Sequence, residues 1–276
     1  MTRPVPETMT AAASSVLSIP DAVEKAGATR RLHADWQAGH FPVRGDPDAP
    51  LRPARPARPE LLPPREMPRR RKGGTRATRV ALIHAIAHIE LNAIDLAVDL
   101  VARFASPALP RQFFDDWLQV ADDEARHFLM LHQRLRDLEA DYGDLPAHDG
   151  LWEAAMDTSH DLIARLAVAH MVLEARGLDV TPAMIDRMQR LGDQKTAEVL
   201  SVIYRDEITH VATATRWFGQ LTGLEGAELE ECWHGHVRAG FRGKLKRPFN
   251  ESARREAGME PDMYEPLADS PPGIDA

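Results

Sequence analysis

The string Asp-Glu-x-x-His occurs twice in this sequence, as Asp123-Glu124-Ala125-Arg126-His127 and Asp206-Glu207-Ile208-Thr209-His210, each time in a segment whose apolar residues recur three and four apart. Side chains at i and i+3 leave one face of an α-helix, so each string presents a carboxylate and an imidazole to the same point. Glu124 falls between Val120 and Leu131, and Glu207 between Ile203 and Ala214, inside the apolar stripes rather than opposite them. Two more carboxylates do the same: Glu90 sits between Ile83/Ala87 and Ile94/Ala97, and Glu174 follows Ala167. Four uncompensated carboxylates in one core would cost more than a domain's whole stability of roughly 5–15 kcal/mol. Matching Lys or Arg partners are not visible on these stripes. Two divalent cations balance the four charges and leave two neutral imidazoles as ligands.

The periodicity predicts long helices over 75–104, 111–142, 152–176 and 193–221. The third is expected to stop at Gly177, with a short helix opening at Thr181-Pro182, as N-cap and first helical position, and running to 191. Further helices are predicted near 21–38 and over 227–241. Strand-like alternation is sparse, so the class is all-α. The organisation expected is an N-terminal helix and arm over 1–74, a four-helix bundle over 75–222, and a C-terminal helix and tail over 223–276. If the first two long helices turn back near Pro107, Glu90 and Glu124 each lie about 17 residues, or roughly 25 Å, from the turn and can meet. The depth of Glu174 does not follow from spacing.

Between 47 and 72 the sequence PDAPLRPARPARPELLPPREMPRRRK is too rich in Pro for a continuous helix and favours extended, solvated chain. Residues 1–72 carry 13 Lys/Arg against 8 Asp/Glu, while the remainder is strongly acidic within an overall charge of −8. Such a body is a poor nucleic-acid binder and a suitable home for clustered carboxylates. The cluster Arg69, Arg70, Arg71, Lys72 offers RNA or another anion a weakly supported contact, and is read as part of a solvated linker. Cys232 is the single cysteine, which excludes an intrachain disulfide and a thiolate metal site. Neither a signal-like N-terminus nor a run of about 18 uninterrupted apolar residues is seen, so a cytoplasmic protein without a membrane span is expected.

Taken together, E…DEARH…LEARG…RDEITH in successive helices resembles the ferritin-like di-iron carboxylate superfamily over about residues 76–221. Within it, HIELNAIDL, HMVLEARGLD, DEITHV and KRPFNESARREAG are similar to a bacterial ferritin-like family that has no assigned reaction and is distantly similar to tRNA-modifying di-iron hydroxylases. The resemblance implies two iron ions, or manganese, held by Glu90, Glu124, His127, Glu174, Glu207 and His210. It assigns Glu124 and Glu174 as bridges and Glu90 and Glu207 as terminal or shifting ligands. Asp123, Asp206 and His170 are candidates for fixing these ligands, and Tyr204 stands one turn before Glu207. His84, His88 and Asp95 lie on another face, where packing histidines are the simpler account than a second metal site.

Hard oxygen ligands with two imidazoles suit Fe(II) or Mn(II) and oxidative chemistry with O2 or peroxide. The expected function is an O2-activating oxidase or hydroxylase acting on a small-molecule substrate of unknown identity and supplied by an external electron donor. Ferroxidase or iron storage, peroxide detoxification and a non-catalytic helical interaction module are the alternatives. The long segments flanking the bundle would encumber a storage shell, so the assembly expected is small, such as a homodimer.

Overall fold

The computed structural model describes residues 7–41, 44–68 and 74–268. The described residues form helices and turns with no strand, and the chain divides into two compact units, 1–152 and 153–276. The cluster Arg69–Lys72, and with it the RNA contact weighed above, lies outside the described residues.

In the first unit, α1 (Met9–Leu17) is capped by Thr8 Oγ1, which accepts from Ala11 N, and α2 (Ala22–Gln37) by Asp21 Oδ1, which accepts from Glu24 N at 2.8 Å. α1 was not foreseen, because nine residues rich in Ala and Ser give little periodic signal. Helix α3 (Arg76–Arg103) pairs with α4 (Arg111–Asp137) around the SPALP turn. The predicted extension of α4 to 142 is wrong: the helix stops at Leu138, Glu139 turns with φ +53°, and Gly143 follows at φ +105°. Phe113, Phe114, Trp117, Phe128 and Leu131 fill the core, each contributing about 1.5–3 kcal/mol by leaving water.

Every residue of α3 from Glu90 to Ala102 is buried. By length and composition this helix would suffice to cross a membrane, but 72% of its most apolar window is covered by protein. Two of its acids, Asp95 and Asp99, are paired with bases: Lys25 Nζ, 1% exposed, donates to Asp95 Oδ1 at 2.7 Å and to Ala54 O at 2.8 Å. Arg55 reaches the same Asp95 at 3.0 Å and donates to Asn92 Oδ1 at 2.7 Å. Asp99 is held by Arg103. Among its described residues the Pro/Arg segment holds no helix apart from a single 3-10 turn at Pro64–Glu66, yet it is not simply a solvated linker. Ala54 N donates to Leu17 O and Asp48 N to Ala102 O, so the segment is strapped to α1 and α3. The sequence hid this because the partners of Arg55 and Lys25 lie far along the chain.

His84 and His88 are packing residues. His84 Nε2 accepts from Gly143 N at 2.9 Å, and His88 Nδ1 lies 2.8 Å from Tyr142 Oη, with both rings stacked on Tyr142. Burial lowers the His84 pKa, more than nearby Asp144 raises it. A histidine held neutral in the folded state binds its proton more weakly there than when unfolded, so its contribution is present above pH ~6.5 and is lost as pH falls below that. Urea denaturation between pH 7 and 5 is expected to show stability falling with acid by up to about 1.4 kcal/mol per unit from this group, and more gently in His84→Gln.

In the second unit, α5 (Gly150–Asp157) runs in from the first. Then α6 (Leu162–Arg165), capped by Asp161, passes into a π-helical stretch, Leu166–Leu173, and on into α7 (Ala175–Arg190). Three expectations fail here: the helix predicted over 152–176 is interrupted at 158–161 between α5 and α6, Gly177 does not stop a helix, and Thr181-Pro182 does not start one, since both lie within α7. α8 (Gln194–Thr222) is capped by Asp193 and ends at Gly223 with φ +66°, as its sequence predicts. α9 (Gly226–Gly240) follows, and the tail forms α10 (Glu251–Glu256), capped by Asn250, and α11 (Pro261–Ala268).

Candidate metal centre

In the first unit, α3 supplies Glu90 and α4 supplies Glu124 and His127. The hairpin brings them together with almost no exposure: 3% for Glu90 and 0% for the other two. His127 Nδ1 lies 3.2 Å from Glu90 Oε2 and 3.5 Å from Glu124 Oε2. One donor atom from each residue lies within 4.8 Å of the others, close enough to share an ion. The i, i+3 spacing aims Glu124 and His127 the same way, and Ala121 and Ala125 beside them are fully buried. Burial, and then the neighbouring Glu124 carboxylate, push the Glu90 carboxyl up to about 8, against the lowering effect of its hydrogen bond to His127. Without a cation, the cheapest way to hold these acids is to protonate one.

In the second unit, the π-helical stretch delivers His170 and Glu174. A π turn carries an extra residue and re-aims the side chains after it, which often marks a functional site. His170, fully buried, places Nδ1 2.7 Å from Glu174 Oε1. The second oxygen, Glu174 Oε2, is buried and has no hydrogen-bond partner among the described residues. On α8, Glu207 and His210 are both buried, with His210 Nδ1 3.9 Å from Glu207 Oε1. α7 packs on α8, and Gly177 faces Glu207, where a Cβ would stand 4.0 Å from Glu207 Cγ, an ordinary van der Waals contact.

The flanking candidates are placed differently. Asp123 is half-buried and points along its own helix, accepting from Arg126 at 2.9 Å and Gln119 at 3.2 Å. Asp206 is half-buried, and its carbonyl accepts from Thr209 Oγ1. The Tyr204 hydroxyl accepts from Asn250 Nδ2 at 2.9 Å. Asn250, Asp179 and Arg254, which pack α7 and α8 against the tail, were not singled out as site residues. The signal for them was the phrase KRPFNESARREAG beside LEARGLD.

Residues 18–265 match a family described as protein of unknown function, DUF455. A Haemophilus influenzae protein, described as uncharacterized, is 38% identical over 210 residues, covering 73% of this chain and 71% of the relative. No solved structure matches the chain.

Proposed function

Since the chain belongs to DUF455, a family described only as of unknown function, we propose its activity from its own residues: a ferritin-like dinuclear iron or manganese protein, an O2-activating oxidase or hydroxylase. The observation that carries the reading is the buried convergence of Glu90, Glu124 and His127. The donor chemistry fits such ions: carboxylate oxygens predominate, no thiolate is available among these residues, and imidazole completes the set. The bare Glu174 Oε2 is the kind of atom a cation would satisfy. The ligand set proposed is Glu90, Glu124 and His127 with Glu174, Glu207 and His210.

When bound, two such ions supply the redox capacity to reduce O2 or peroxide. The residues do the rest. Four carboxylates neutralise two divalent charges. His170 holds Glu174 by one oxygen and leaves the other buried and open to a cation. Ala87, Ile94, Ala121 and Phe128, buried one turn from Glu90 or Glu124, exclude water. With one cysteine in the sequence, a thiolate-based electron carrier is not built into this chain, so reducing equivalents come from an external donor or from the small-molecule substrate.

Metal analysis by plasma mass spectrometry tests this. Protein purified without chelator from iron- and manganese-replete cells is expected to carry about two of these ions per chain, as in the dinuclear motif, and Glu124→Ala to lose them. Metal-free wild-type protein whose melting temperature does not move on adding Fe(II) or Mn(II) would sink the proposal.

A further inference from the structure

Pro182 stands inside α7 with no N–H to give, so the carbonyl of Leu178, four residues back, lacks its helical donor. The tail replaces it: Asn250 Nδ2 donates to Leu178 O at 3.1 Å. The same amide group donates to Tyr204 Oη on α8 at 2.9 Å, one turn before Glu207. One side chain thus joins the helix that begins beside Glu174 to the helix that carries Glu207 and His210. Asn250 is itself fixed, because its backbone N–H donates to Asp179 Oδ1 at 2.9 Å, and the Asp179 side chain is fully buried in a two-pronged pair with Arg254 at 2.8 and 2.7 Å. Arg254, 3% exposed, lies over the rings of Phe249 and Tyr264. A solvent-facing cap would not need so much buried machinery.

We propose that this tail is a clamp that sets the spacing of α7 and α8, with Asn250 as a positioning residue for the metal ligands they carry. The inference rests on the dinuclear reading above and adds to it where the precision of that half-site comes from. Ligands must be held within a few tenths of an ångström for a metal pair, and two helices joined only by apolar packing can slide by more than that.

The test separates positioning from simple repair of the helix. Mn(II) affinity, the electron paramagnetic resonance spectrum of the Mn(II)-loaded protein and the melting temperature are measured for wild type, Asn250→Ala, Tyr204→Phe and the double variant Pro182→Ala/Asn250→Ala. Asn250→Ala is expected to weaken Mn(II) binding about tenfold or more and to change the spectrum. Tyr204→Phe, which leaves the Leu178 carbonyl satisfied, is expected to shift both in the same direction. In the double variant the restored N–H of residue 182 returns the melting temperature towards wild type while the affinity stays low. Wild-type affinity in Asn250→Ala, or recovery of affinity along with stability in the double variant, would overturn the clamp. Should Asn250→Ala not fold, an unchanged spectrum and affinity in Tyr204→Phe overturns it equally. Wild-type protein that binds no Mn(II) or Fe(II) removes the metal centre itself, and the clamp with it.

Discussion

Glu90→Gln is expected to melt higher than wild type when both are metal-free, and to bind metal far worse. Glu90 is 3% exposed, shares His127 with the fully buried Glu124, and has its carboxyl pushed up to about 8 by burial and then by that neighbour. A carboxylate whose pKa is raised on folding contributes least at high pH: near neutrality the metal-free chain must take up a proton to fold, and stability declines as pH rises from the ordinary carboxylate range towards 8. Gln is nearly isosteric and needs no proton. Its gain at pH 7 is about 1–3 kcal/mol, or roughly 3–10 °C for a chain of this size, measured by scanning calorimetry after chelation. With Fe(II) or Mn(II) in excess the order should invert, because wild type gains binding energy that the variant has lost. A Glu90→Gln protein less stable than wild type in both conditions would mean that the carboxylates serve the fold rather than an ion.

The second large effect concerns the opposite side of α3. Asp95→Ala leaves the Lys25 ammonium, 1% exposed, and the nearby Arg55 guanidinium without their carboxylate. Removing one partner of a buried pair costs about 3–5 kcal/mol, a large part of a typical stability. The loss has a pH signature. Burial already lowers the Lys25 pKa, with Asp95 as the main opposing influence, so deleting Asp95 lowers it further. A lysine depressed in the folded state costs stability below its unfolded pKa, and that cost shrinks as pH rises towards about 10.5. Urea midpoints of wild type and Asp95→Ala should therefore converge between pH 7 and about 9.5. A constant gap would assign the loss to packing instead.

These features were unequally legible in the sequence. Helices α3, α4 and α8 show in periodicity, because each lays an apolar stripe against a neighbour, and the convergence of Glu90 and Glu124 follows from counting residues to the turn. The region of Glu174 did not, and the reason is specific. Gly177 and Pro182 are punctuation by local chemistry, but the glycine lies within α7 and the proline's missing hydrogen bond is replaced from 72 positions away. Local rules cannot see a donor supplied by the tail. The same distance hid Lys25 from Asp95, which left the acids of α3 without visible counter-charges. Asp123, a sequence candidate for fixing a ligand histidine, accepts from Arg126 and Gln119 on its own helix, pairs that i+3 and i−4 spacing also makes readable.

The Leu178 carbonyl also carries a consequence for the order in which the protein is made. Synthesis runs from the N-terminus, so α7 and α8 are complete as sequence before Asn250 exists, and until then the Leu178 carbonyl has no donor from its own helix and is left to water. The helix that follows Glu174 and the helix bearing Glu207 and His210 are translated early and finished late: the donor to the Leu178 carbonyl waits for the tail to emerge and dock.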